Sequence, residues 1–354
     1  MTQTRHYLAL DGLRGIAALA VVSLHVAEYF RLPVQPGHAY LAVDFFFMLS
    51  GFVIAHAYES RLRRGMGVAR FLAVRLIRLQ PLVLLGVALG TGAYLLHGGT
   101  GVASVLLAAA ANALLLPSPF LLWLRPWAFP LDTPLWSLAF EIWINLLYAL
   151  SFRLLTRRTL GLALALGAGL VLAVSLTHGG LNVGFAWQDF PLGSARVLFP
   201  FVMGVMLSRY AGMGAWRPAW AHALCVPLLV ILCAPAFGGG WYDSAAVLLL
   251  FPALLLAAAH APASRHLDPL WRWLGLVSYP VYVVHYPFVV VVSNLLKSAH
   301  AGPAAAWAGA GATILLVVVF AALAEKFYDA PVRAWASRRP SVSTTGAGYD
   351  KATR

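Results

Sequence analysis

Apolar runs of membrane-spanning length recur from one end of the chain to the other, separated by short stretches rich in arginine, glycine and proline. They fall near 8–29, 41–57, 80–96, 134–152, 160–176, 194–210, 219–236, 244–261, 275–296 and 304–325. A bilayer core about 30 Å thick takes roughly 20 apolar residues of helix, so the pattern predicts an all-α, polytopic membrane bundle of about ten transmembrane helices. A further apolar piece at 102–123 upsets the alternation. If it crosses, the basic cluster Arg153, Arg157 and Arg158 lies across the membrane from Arg61, Arg63, Arg64 and Arg70. If it does not, every basic residue except Arg31, Arg125, Arg196 and Lys297 shares one side. The excess of Lys and Arg on cytoplasmic loops selects the second arrangement. Both termini are then cytoplasmic, and 97–133 is a re-entrant or outer-surface element, as Pro117, Pro119, Pro126 and Pro130 also suggest.

Composition sharpens this class. The chain is 61% hydrophobic and 10% charged, with a mean hydropathy of +0.79, against roughly 25% charged residues in a soluble domain. Lysine and arginine outnumber acids 25 to 12. In a soluble protein that balance would suggest nucleic acid; here it reads as loops lying beside a lipid bilayer, with no nucleic-acid partner. The first segment is longer than a signal peptide's apolar core and has no small-residue cleavage site after residue 30, so it reads as a retained helix. One integral-membrane domain is expected over 1–336. The polar tail SVSTTGAGYDKATR makes 337–354 a disordered cytoplasmic extension.

The chemistry is concentrated in polar residues inside these spans. A charged group in a spanning helix costs at least ~2.5–3.5 kcal/mol, so by default it marks function. The first helix carries Asp11, Arg14 and His25. Arg14 and His25 are eleven residues apart, about three turns, and so share one face, separated by about 16 Å. Asp44 enters the second span, with Ser50 and Gly51 deeper. Glu141 sits within the fourth span, near the expected depth of His25. The ninth carries Ser278, Tyr279, Tyr282 and His285, with Pro280 and Pro287 able to kink it. Arg75 and Arg78 precede the third span on one helix face, either as a membrane-surface anchor or as a cytoplasmic anion site.

Each group has a purely structural alternative. Asp11–Arg14 can be a pair at the helix entrance, His25 an interhelical hydrogen-bonder, Asp44 a helix cap, and Ser50–Gly51 a close-packing site. No His/Cys/carboxylate spacing argues for a metal. An intramembrane histidine beside carboxylates suits general-base catalysis or a proton relay, the latter in a proton-coupled exporter or flippase of a glycan or lipid intermediate. The exporter reading carries an expectation of internal pseudo-symmetry, which the sequence lacks. The arginine pair favours a phosphate-bearing donor that enters from the cytoplasm, as coenzyme A would.

The segments LDGLRGIAALAVVSLH (10–25), VDFFFMLSGFVI (43–54), RLIRLQP (75–81), PLWSLAFEIW (134–143) and LGLVSYPVYVVHYP (274–287) resemble, in order and spacing, the motifs of the integral-membrane acyltransferase-3 family. Its members are mostly bacterial O-acetyltransferases of surface glycans, lipopolysaccharide among them. The resemblance implies an acetyl-CoA-dependent O-acyltransferase in the cell inner membrane, with a glycan or glycolipid acceptor. It also implies His25 as the essential base, with Glu141 or Asp44 as orienting partners. Arg75 and Arg78 would hold the CoA, with Arg14 and Asp11 at its entrance. Trp136, Ser137, Tyr279, His285 and Ser50 would stand on the substrate side. The chain departs from the pattern at Gln80, Asn145 and Asp329. Many relatives carry an outer hydrolase-like domain for which there is no room here, so hand-off to a second carrier would need a separate periplasmic acyl-carrying protein.

Overall fold

The computed structural model describes residues 7–97, 101–210 and 219–338. It is an all-helical bundle. Its elements are α1 (Leu8–Tyr29), α2 (Ala42–Arg63), α3 (Val68–His97), α4 (Val102–Ala113), α5 (Leu135–Ser151), α6 (Arg157–His178) and α7 (Gly193–Tyr210). There follow α8 (Cys225–Cys233), α9 (Gly239–Ala245), α10 (Phe251–Ala259), α11 (Asp268–Ser298), α12 (Pro303–Ala324) and α13 (Ala330–Arg338). A π-helical turn fuses α9 to α10, and another, Glu325–Asp329, fuses α12 to α13.

All ten expected spans are helical. Among the described residues, eight helical stretches are long and apolar enough to cross a membrane, while Leu135–Ser151 and Trp220–Cys233 are shorter. The extra segment contributes the 12-residue α4 and then irregular chain to Pro134. Twelve residues rise about 18 Å, short of a bilayer core. One boundary moves materially. The third span starts at Val68, so Arg75 and Arg78 lie two to three turns inside α3 instead of preceding it. Pro81 sits within this helix without ending it.

Burial divides the bundle into a centre and a rim. In α1, α2 and α11, 67%, 72% and 67% of the apolar window is buried, against 28% in α6 and 22% in the α12–α13 stretch. The rim helices expose Leu162, Leu166, Leu315 and Leu323, as a lipid-facing surface requires. α1 packs chiefly on α11 and α2 on α7. The second crossing is set by two glycines. A Cβ at Gly51 would overlap the Phe201 carbonyl, and one at Gly204 would overlap that of Met48. Each glycine therefore admits the other helix's backbone, the means by which helices associate where lipid removes the hydrophobic drive between them.

The end where α1 begins also gathers the end of α2 and the end of α7, since Arg209 reaches both Glu59 on α2 and the Leu155 carbonyl. It is termed the basic end below.

Candidate active site

Two polar stations lie along the α1–α11 pair. The one farther from the basic end is built on the last turns of α1. His25 Nδ1 lies 2.8 Å from Nε2 of His285 on α11. His285 is fully buried, and its own Nδ1 faces the carbonyls of Tyr282 and Val281 at 2.8 and 3.2 Å. Two acceptors on one side require the proton on His285 Nδ1, which leaves His285 Nε2 as an acceptor. His25 Nδ1 must then be the donor, so the lone pair of His25 resides on Nε2. This is the tautomer a general base needs, and a backbone carbonyl fixes it through a second imidazole. Val281 and Tyr282 lie four and three residues before His285 on α11, so the ring folds back onto carbonyls of its own helix.

His25 borders a cavity of about 200 Å³, whose wall includes Glu28, Tyr29, Trp127, Trp136 and Tyr286. Pockets for drug-sized ligands run to roughly 300–1,000 Å³, so this one accommodates the reacting tip of a substrate. The Tyr29 and Tyr286 hydroxyls are hydrogen-bonded to each other, and Arg125 donates to Tyr29 at 2.9 Å. One phenol hydrogen joins the two rings, leaving the other uncommitted at the cavity wall. Trp127 pairs by backbone with Ala186, and its indole N–H has no partner. The irregular chain after α4 thereby covers the cavity. Beside it, Asp132 is buried with both carboxylate oxygens unpartnered, facing Gly86 of α3, and burial pushes its carboxyl well above the usual range.

The second station lies at the basic end. Arg14 donates to Ser278 Oγ at 2.8 Å and to the Gly275 carbonyl at 2.7 Å, and pairs with Asp11 at 3.2 Å. Arg75 pairs with Glu141 at 2.6 Å, and Ser50 donates to the same carboxylate oxygen at 3.0 Å. Tyr279 donates to the Leu79 carbonyl at 2.6 Å. Arg78 stands in the field of Arg14, Arg75 and Arg333, with no hydrogen bond or ion pair among the described residues.

This arrangement corrects several sequence expectations. Glu141 does not orient His25; it is held by Arg75, because α3 begins early enough to carry its arginines down to the level of Glu141. Asp44 does not orient His25 either. It pairs with Arg196 at 2.6 Å, both side chains fully buried, and Arg196 also donates to the carbonyls of Tyr40 and Val183. Each carboxylate took the nearest guanidinium, and a buried charge without such a partner is prohibitively costly. Ser50 and Tyr279 likewise belong to the basic end, away from the cavity. Ser137 braces the cavity indirectly, 2.7 Å from the Tyr282 hydroxyl. Trp136 does line the cavity, with the Arg196 guanidinium 5.0 Å from its ring centroid. Arg196, Arg125, Tyr29 and Tyr286 went unassigned. Tyr29, one turn beyond His25, was the readable signal among them.

Comparison with known proteins bears on the family. The acyltransferase domain family, acyltransferase-3, matches residues 7–324. The chain is 38% identical over 157 residues to protein 2 in the picA locus of Rhizobium radiobacter, covering 40% of this chain and 81% of that protein. It is 28% identical over 398 aligned positions to the acyltransferase MdmB of Streptomyces mycarofaciens, covering 98% of this chain and 97% of that protein. No solved structure matches.

Proposed function

Since the chain belongs to the acyltransferase-3 family of membrane acyltransferases, we propose that it moves an acetyl group from cytoplasmic acetyl-CoA to a hydroxyl of a glycan or glycolipid. His25 is the general base. The observation that carries this reading is the His285-locked tautomer, which leaves an imidazole lone pair on a residue that lines a cavity sized for the reacting tip of a substrate.

In the proposed step, Nε2 of His25 takes the acceptor hydroxyl proton as the oxygen attacks the thioester carbonyl. The uncommitted phenol hydrogen of the Tyr29–Tyr286 pair is available to the developing oxyanion. Collapse breaks the carbon–sulfur bond, and the thiolate takes the proton from His25, releasing CoA and the acetyl ester. His285, accepting from Nδ1–H throughout, steadies the transient imidazolium. General-base assistance of this kind contributes about 10²–10⁴-fold.

The arginine cluster supports a phosphate-bearing donor at the basic end, and the excess of Lys and Arg on that side supports a cytoplasmic orientation in the cell inner membrane. The aromatic wall of Trp127 and Trp136, with Glu28 beside it, supports an acceptor with both apolar ring faces and hydroxyls, as a sugar has.

Membranes containing the protein should incorporate label from [acetyl-¹⁴C]acetyl-CoA into a glycan fraction. His25→Ala should insert normally and incorporate none. Full incorporation by that variant would remove His25 as the base.

A further inference from the structure

The basic end contains a charge arrangement that acyl transfer alone does not explain. Four guanidiniums converge there, from α1 (Arg14), α3 (Arg75 and Arg78) and α13 (Arg333). Three already hold carboxylates: Arg14 has Asp11, Arg75 has Glu141, and Arg333 has two, Glu325 Oε1 at 2.5 Å and Asp329 Oδ2 at 2.9 Å. Arg78 is the exception. The positive charge of the cluster is thus largely masked, and an anion can recruit it only by competing with carboxylates.

Arg333 is the member built for such competition. In a continuous α-helix, residues eight apart lie about 80° apart around the axis. The π turn Glu325–Asp329 absorbs one residue and brings Glu325 into line with Arg333. Both carboxylates are buried, with side-chain exposures of 7% and 2%, against 22% for Arg333. Two buried acids on one guanidinium is an unbalanced set, and Asp329 Oδ1 meets no hydrogen-bond donor in good geometry among the described residues. Both contacts lie within one helical stretch, so exchanging them breaks no contact between separate helices. The stretch packs directly on α3 and α11, beside Arg78.

We propose that Arg333 is a phosphate-binding residue of the donor site, held off in the donor-free protein by a latch of Glu325 and Asp329. The inference rests on the acyl-CoA reading above. The donor head offers a diphosphate and a ribose phosphomonoester. The first phosphate lands on Arg78, the one guanidinium of these four that holds no carboxylate among the described residues. Arg333 then exchanges its carboxylates for a second phosphate, since a planar guanidinium meets both oxyanions with the same paired N–H groups.

The test uses the full chain in lipid nanodiscs and isothermal titration with CoA and with 3′-dephospho-CoA. Arg333→Gln should weaken CoA by at least about tenfold, the loss of one charge-assisted contact, with Arg333→Lys intermediate. Glu325→Gln should tighten CoA several-fold, because the latch loses a competitor. Lys326→Gln, whose ammonium lies over the Phe327 ring, serves as the charge control and should bind as the parent does. Arg333→Gln binding like the parent would overturn the inference and leave the donor reading intact. So would Glu325→Gln weakening CoA as much as Arg333→Gln does, since the acids would then only anchor α13. Failure of the parent to bind either nucleotide would sink the donor reading and this inference with it.

Discussion

Replacing His285 by leucine isolates the contribution of the tautomer lock. The substitution removes the acceptor of His25 Nδ1–H, the only one it has among the described residues, at a site that is fully buried. Holding the productive tautomer then leaves a buried donor unsatisfied, which costs about 1–3 kcal/mol. Spent against the transition state, that is about a 5- to 160-fold loss in kcat. His25→Ala, by comparison, removes the base and should cost about 10²–10⁴-fold. His285→Gln offers a carbonyl oxygen in the same direction and should recover most of the loss. Because the arginines sit at the other station, KM for acetyl-CoA should hold steady across the series. The assay is initial-rate transfer of labelled acetyl groups in membranes matched for inserted protein. A leucine variant as fast as the parent would refute the reasoning, as would a glutamine variant no better than leucine.

Three further outcomes follow from other contacts. Arg196→Met or Asp44→Asn alone should lower stability by about 3–5 kcal/mol by stranding a buried charge; the double variant should recover much of it in thermal unfolding, and additive losses would contradict a coupled pair. Gly204→Leu should fail to accumulate as folded protein in the membrane, whereas Gly92→Leu, around which the structure leaves open space, should accumulate normally; equal yields would count against the glycine crossing. Asp132, whose folded-state pKa is raised, binds its proton more tightly when folded, so its contribution declines as pH rises above the ordinary carboxyl value of about 3.9. Asp132→Asn should therefore raise the melting temperature at pH 8, with the gain shrinking toward pH 4; a gain that grows on acidification would have the wrong sign.

The sequence made the helices and the polar face of α1 legible for a simple reason. Span length and the cost of polar groups in lipid are properties of one segment at a time. His25, Arg14 and Asp11 declared themselves by their place on one helix. What could not be read was azimuth between helices. Glu141 and His25 were assigned similar depths, yet Glu141 faces α3 and meets Arg75. Asp44 was matched to the histidine by depth, while its true partner, Arg196, had been counted only as a basic residue outside the positive side. His285 reads from the sequence as a substrate-side residue, whereas its 2.8 Å contact with His25 depends on how α1 and α11 face each other. Arg333 stands four residues after Asp329, but a π turn, invisible to helical periodicity, sets its direction.

Arg14 and His25 stand on one uninterrupted helix, α1. Their axial offset, about 16 Å, is therefore a property of backbone hydrogen bonding, indifferent to how neighbouring helices shift. Under the proposed chemistry α1 becomes a gauge: it holds Arg14, at the entrance of the donor route, and the base at a fixed interval that the donor's arm must span. A single residue inserted between the two would lengthen the gauge by only 1.5 Å but swing His25 about 100° around the axis. Calibration and aim are thus tied together, and a change in donor length cannot be accommodated by lengthening this helix one residue at a time.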